Sequence, residues 1–270
     1  MALTINTNLA SLNTQRHLVG INNAGNLAMQ RLSSGLRINS ARDDAAGLAI
    51  GTRMDSQVRG LNVAIRNAND ATSLIQVADG ALNTISSALQ RMRELSVQAA
   101  NGAYSNADRT QLNTEYQQLA LEITRIANST TFNGQNIIST NSGTFNFQVG
   151  ANSGQTLSVT TTDASALMPL PGDLTSAANA TTAISAIDTA IDSLNTTRST
   201  YGAALNRLDF TMQNLRTSAE NQTAARSRIM DTDFAQETAA LARQQVLQQA
   251  GIAMLSQANQ MPSMILGLLR

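Results

Sequence analysis

The chain has 270 residues, enough for one large domain or two small ones, and contains no Cys, no Trp, no Lys, one His and only 3% aromatic residues. Without Cys, disulfides, thiol nucleophiles and thiolate metal sites are excluded, and a single imidazole excludes a multi-histidine metal site. Arg supplies all 18 positive charges against 18 Asp and Glu, and this zero formal net charge argues against nucleic-acid binding as a bulk property.

Residues 1–42 read as an amphipathic, Asn- and Ser-rich segment whose apolar positions are Leu3, Ile5, Leu9, Leu12, Leu27, Leu32 and Leu36. Gly20, Gly25 and Gly35 weaken it as an autonomous helix. His17 lies here, and a solvated or packed structural imidazole is favoured over a catalytic one. The segment has no basic start before an apolar core, so no cleavable secretory signal is expected. Residues 39–44 look like a joint. Asn39 or Ser40 caps the next helix, and Asp43 with Asp44 complements its N-terminal dipole, a reading favoured over a paired-carboxylate catalytic site.

From there the spacing predicts one very long helix ending at Asn101-Gly102, a left-handed cap. Leu61, Ala64, Ala68, Ala71, Ile75, Ala78, Leu82, Ile85, Leu89, Met92, Ser96 and Ala99 alternate three and four apart without a slip. That 3.5-residue period makes a continuous seam for a partner helix. The charged residues Arg91, Arg93, Glu94 and Glu115 flank the seam. Intrahelical pairing on a solvated face is the plainer reading, an interaction surface the sharper one. A second helix over residues 108–126, with Leu112, Tyr116, Leu119, Ile123 and Ile126 as its stripe, follows a short connection and so packs antiparallel on the first.

After Asn128 the period changes. Phe132-Asn133-Gly134 is a turn. Phe145, Phe147 and Val149, then Leu157, Val159 and Thr161, alternate with polar residues around Asn152-Ser153-Gly154, which predicts a β-hairpin at about residues 144–162. Residues 163–180, with Pro169 and Pro171, read as a loop. The partner seam then appears: Ile184, Ile187, Ile191, Leu194, Arg198, Tyr201, Leu205, Leu208, Met212, Leu215 and Ala219 repeat the three–four alternation, with Arg198 the one charged intrusion. Two heptad segments this far apart predict a fold-back in which the N- and C-terminal portions lie side by side. The helix is expected to weaken over residues 221–228.

Asp231-Thr232-Asp233 caps a terminal helix whose apolar residues, among them Leu241, Val246, Leu247, Ile252, Met254 and Leu255, fall on several faces. Residues 244–269 carry no charge, but seven Gln or Asn and Pro262 make a membrane span costly. A helix apolar on more than one side needs neighbours on more than one side, and copies of the same chain supply them. Both ends are accordingly expected to be helical only once covered by neighbouring copies.

The wording of the ends carries a resemblance. Residues 5–18 (INTNLASLNTQRHL), 32–50 (LSSGLRINSARDDAAGLAI), 89–102 (LQRMRELSVQAANG), 131–137 (TFNGQNI) and 257–270 (QANQMPSMILGLLR) closely resemble bacterial flagellins, in order and over nearly the whole chain. The resemblance implies a mainly α protein: a long coiled-coil-like antiparallel helix rod from both chain portions, with a small distal hairpin. It implies an inner assembly domain (residues 1–44 and 231–270), a rod domain (45–162 and 181–230) and a short variable surface loop (163–180) in place of large outer domains.

The seam residues are then Leu61, Ile75, Leu82, Ile85, Leu89, Ile191, Leu194, Leu205, Leu208 and Leu215. The inter-subunit residues are Leu9, Leu12, Leu32, Leu36, Leu241, Leu247, Ile252, Leu255 and Ile265. The family also implies Arg91, Leu95 and Glu115 as contacts for a host innate receptor, and an export chaperone, a filament cap and type III export as partners and route. The implied function is an extracellular filament subunit without catalysis, cofactor, nucleic acid or membrane insertion. A hook–filament junction protein shares the terminal helices, and a membrane-inserting type III translocator would use the uncharged C-terminal segment. The match over residues 89–102 favours the filament subunit, and no His-Glu-x-x-His string is present for a metalloprotease insert.

Overall fold

A computed structural model describes residues 7–139, 143–164 and 173–268, with side chains described as far as Met261. The described elements, in chain order, are α1 (Leu9–Ser34), α2 (Ala45–Ala100), α3 (Asn106–Ser129), β1 (Thr131–Phe132), β2 (Gln135–Asn136), β3 (Thr144–Gln148), β4 (Thr156–Thr160), α4 (Ala177–Met230) and α5 (Phe234–Leu268). The fold is mainly α, with long helices from both chain portions and two small antiparallel strand pairs. Two compact units result, one of residues 57–220 and one of residues 1–56 with 221–270.

In the unit of residues 57–220 the heptad seam of α2 is buried from Leu61 to Ala99, Ser96 included. The Ser96 hydroxyl satisfies itself by donating to the Met92 carbonyl at 2.8 Å, the usual way a helix buries a serine. The partner stripe on α4 buries Ile187, Leu194, Tyr201, Leu208, Met212, Leu215 and Ala219, while Ile191 and Leu205 pack half-buried against the same core. Ion pairs Asp79–Arg198 (2.8 Å) and Arg93–Asp188 (2.6 Å) show that α2 and α4 run antiparallel. The charged intrusion in the seam is thus answered across the interface: Arg198 keeps its guanidinium at the edge and donates Nε to Asp79.

A second stripe on α2, which the 3.5-residue reading left out, is buried as well: Leu74, Ser86 and Leu95. α3 and the hairpin supply its cover, since Tyr116, Ile123, Ala127, Ile137, Leu157 and Val159 join the same core. The hairpin forms as the alternation predicts, Phe145 pairing with Val159 and Phe147 with Leu157. Its turn uses Gly154 at φ 82°, and the tighter β1–β2 turn uses Asn133 and Gly134 at φ 49° and 76°, where Asn and Gly carry the least steric cost. Asn67 on α2 donates to the Gln148 carbonyl at 2.9 Å.

The end of α2 differs from expectation. Gly102 is not left-handed. Instead the buried Arg109 guanidinium donates Nε to the Ala99 carbonyl (2.8 Å) and an amino group to the Asn101 carbonyl (3.0 Å), satisfying the free helix end with a cation placed where the dipole favours one. α3 begins with a reciprocal capping box between Ser105 and Asp108, which holds the Asp108 carboxyl below its usual range.

In the other unit, α1 and α5 form an antiparallel pair, tied by Asn8 to the Ala258 carbonyl (2.7 Å), Ser11 to Asn259 (2.8 Å), Gln248 to Asn22 (2.9 Å) and Arg31 to Glu237 (3.7 Å). Gly251 lets the helices approach: a Cβ there would stand 2.7 Å from Leu18 Cδ2. Both ends are therefore helical within one chain, a correction to the expectation that they need neighbouring copies; each end is the other's partner. α1 stops at Gly35, φ 71°, whose N–H reaches the Arg31 carbonyl.

Asp44, rather than Asn39 or Ser40, caps α2 by accepting from Gly47 N–H (2.9 Å), while Asp43 closes the preceding turn by accepting from the N–H groups of Asn39 and Ser40. These bonds depress the Asp43 pKa. α4 does not weaken over residues 221–228 but continues to Met230, held by Arg226–Asp55 (2.8 Å) and by Met230 packed over Gly51. Of the predicted 163–180 loop, residues 165–172, Pro169 and Pro171 included, lie outside the described residues, and residues 177–180 are not loop but the first turn of α4, a correction to the expected boundary.

Candidate functional site

Two surfaces carry chemistry that the folded core does not consume. The first is the charged face where α2 and α3 meet. Arg91 sits between two carboxylates, Nε 2.9 Å from Glu115 and a terminal nitrogen 2.9 Å from Glu94. The hydrogen bonds to Glu115 and Glu94 hold its pKa above the usual arginine value. Arg91 and Glu115 are about half exposed and Glu94 about two-thirds, so they form a solvated charge cluster of modest energetic worth and definite geometry. The pairing is interhelical as well as intrahelical, which only the folding of α3 onto α2 brings about. Alongside lies a shallow groove lined by Gln90, Arg93, Glu94, Val97 and Gln98. Arg93 is engaged with Asp188, whose carboxyl is held below its usual range by that hydrogen bond.

Leu95 is a correction. It is 1% exposed and belongs to the core under α3, so it offers no apolar contact at this surface. Heptad spacing placed it beside the seam, where α4 alone would have left it exposed; α3 covers it. Val97, 49% exposed, is the apolar side chain at the face.

The second surface belongs to the α1–α5 pair. Leu9, Leu12, Leu247 and Ile252 are exposed, together with Val19, Met29, Val246, Met254 and Met261. Leu32, Leu36, Leu241 and Leu255 are half-buried, and the side chain of Ile265 lies outside the described residues. Leu9, Leu12 and Val19, with Gln15 and Arg16, line an open groove of about 540 Å³. Fully buried apolar side chains in this unit are few among the described residues: Ala28, Ile38, Met230 and Ala258. Two helices pack through one face each, and the remaining apolar area stays in water, at a cost of roughly 25 cal/mol per Å².

His17 is exposed on α1. Among the described residues no cluster of three His, Cys, Asp or Glu is arranged to hold a metal, and no helix is long and apolar enough to cross a membrane.

Residues 5–143 match the bacterial flagellin N-terminal helical region, and residues 184–269 match the bacterial flagellin C-terminal helical region. The chain is 48% identical to a flagellin of Halalkalibacterium halodurans over 273 residues, covering 99% of this chain and all of that one. It is 41% identical to the flagellin of Bacillus subtilis and 41% identical to the flagellar filament 33 kDa core protein of Treponema phagedenis, each over 99% of this chain and the whole relative. The crystal structure of Bacillus cereus flagellin is similar at a TM-score of 0.53 and 39% identity, over 60% of this chain and 94% of that one.

Proposed function

Because this chain belongs to the bacterial flagellin family and is a structural subunit of the extracellular flagellar filament, we propose that the exposed apolar residues of α1 and α5 are where copies of it meet. Residues 1–44 and 231–270 act as the assembly core, residues 45–162 and 181–230 as the rod domain, and residues 163–180 as the variable surface loop. Function then lies in polymerisation and not in catalysis. The observation that carries this is the exposure of Leu9, Leu12, Val246, Leu247 and Ile252 on the α1–α5 pair, whose fully buried apolar side chains among the described residues are only Ala28 and Ala258. Covering such side chains gains about 1.5–3 kcal/mol each, enough in sum to drive association.

The test is seeded polymerisation followed by negative-stain electron microscopy. Wild type should extend seeds into tubes of uniform diameter, and Ile252→Asp or removal of residues 240–270 should not. Extension by both variants at the wild-type rate would refute the assignment. The route outwards is the flagellar type III channel, with an export chaperone and a filament cap as partners.

A second reading concerns the charged face. Arg91 and Glu115, half exposed and joined at 2.9 Å, form the polar anchor for a host innate receptor of flagellin. Purified monomer should bind the receptor ectodomain, and Arg91→Ala with Glu115→Ala should lower affinity by about tenfold or more. Equal binding by the double variant would place the contact elsewhere.

A further inference from the structure

Among the described methionines, those in the α2–α4 seam are buried, Met54 near the start of α2 is half-buried, and those on the α1–α5 pair are exposed. In residues 57–220, Met92 is 0% and Met212 is 8% exposed. In the unit made from both ends, Met230 is 8% exposed, but Met29 is 56%, Met254 62% and Met261 52% exposed. The three exposed methionines among the described residues stand on the α1–α5 pair, among the apolar side chains that the assembly reading places between copies. The chain has neither Cys nor Trp, so the thioethers are its most readily oxidised groups. Access decides which of them reacts.

We propose that Met29, Met254 and Met261 are oxidation sites through which a hydroperoxide blocks polymerisation of the free subunit while leaving its fold intact. The inference rests on the assembly reading above. In the reaction one oxygen passes from hydrogen peroxide to the thioether sulfur. An S–O bond forms, the peroxide O–O bond breaks, sulfur is oxidised by two electrons, and the peroxide is reduced to water, keeping both of its protons. The product sulfoxide is polar and a hydrogen-bond acceptor, so a contact built for a flexible apolar side chain now has to desolvate a dipole. The α2–α4 seam is spared because its methionine sulfurs are covered. Oxidised monomers therefore keep the helical core and lose the ability to add to a filament end.

The experiment uses the full chain. Monomer is treated with hydrogen peroxide, mapped by peptide mass spectrometry, melted by circular dichroism and offered to untreated seeds. Sulfoxide at positions 29, 254 and 261 is expected to form about tenfold faster than at 92 and 212. The melting transition should be unchanged, and seed elongation should fall about tenfold or more. The variant Met29→Leu/Met254→Leu/Met261→Leu should elongate equally before and after peroxide. Uniform oxidation across all methionines, elongation by oxidised wild type at the untreated rate, or equal peroxide inactivation of the triple variant would each overturn the proposal. Should the triple variant not elongate at all, Met254→Leu alone decides: it must retain more activity after peroxide than oxidised wild type. Failure of untreated wild type to elongate would instead refute the assembly reading, while the oxidation map would still judge the sites.

Discussion

The two units use the same raw material, amphipathic helices poor in aromatic residues, to opposite ends. Residues 57–220 wrap α2 on more than one side, so Leu74, Leu82, Leu89, Leu95, Leu194 and Leu208 all disappear into one core. The α1–α5 pair offers each helix a single partner and leaves Leu9, Leu12, Val246, Leu247 and Ile252 outside. The difference lies in the number of neighbours within the chain, not in hydrophobicity. A helix with three neighbours is finished as a monomer; a helix with one leaves apolar surface uncovered, and that is the surface proposed above for another copy.

A pair of substitutions breaks or sharpens this contrast most strongly. Leu82→Asp forfeits about 1.5–3 kcal/mol of burial and adds the several-kcal/mol cost of enclosing a carboxylate, so circular dichroism should show the helical core lost at room temperature. Leu205→Asp, at a half-buried position, should cost less. Ile252→Asp should leave the monomer melt within a few tenths of a kcal/mol of wild type and abolish seeded growth. Similar melts for Leu82→Asp and Ile252→Asp would erase the distinction between the units.

Next in size is the clamp at the end of α2. Arg109→Ala removes two charge-assisted bonds to backbone carbonyls and should destabilise the 57–220 unit by about 2–3 kcal/mol, read as a shift in the urea midpoint. Arg109→Lys should recover little, since a point-charge ammonium does not reproduce the fork.

Alkaline pH acts on the same unit. Tyr116 is buried with no partner for its hydroxyl among the described residues, and burial pushes the phenol up to about 12. Its folded pKa lies above the unfolded value near 10, so the unfolded state loses the proton first. The stabilisation is complete below pH 10 and is lost as pH rises from about 10 to about 12, worth about 2–3 kcal/mol. Tyr116→Phe should flatten that part of the stability–pH curve. The smallest effect is expected from Arg198→Ala, whose pair with Asp79 is about one-third exposed. It should cost about 0.5–1 kcal/mol and diminish with added salt.

Much of this molecule is written in local spacing. The three–four alternation from Leu61 to Ala99, the alternation about Asn152-Ser153-Gly154 and the capping acids before α2 and α5 each specify a conformation through neighbours a few residues away, which is why they could be read directly. The apolar residues left exposed around α5 were legible for the same reason, since a helix apolar on several sides is visible in one dimension. What required the tertiary structure was the identity of distant partners. Leu95 looks like a surface residue until α3 lies over it. Arg198 looks like a fault in the seam until Asp79 is placed opposite. Gly102 looks like the end of α2 until Arg109 returns from the next helix to satisfy the same carbonyls. The charged face behaves likewise: Arg91 and Glu94 are neighbours by helical period alone, whereas Glu115 joins them only because a tight turn lays α3 back along α2. Periodicity assigns a side chain to a face of its own helix; which other element covers that face is settled by packing between residues far apart in the chain.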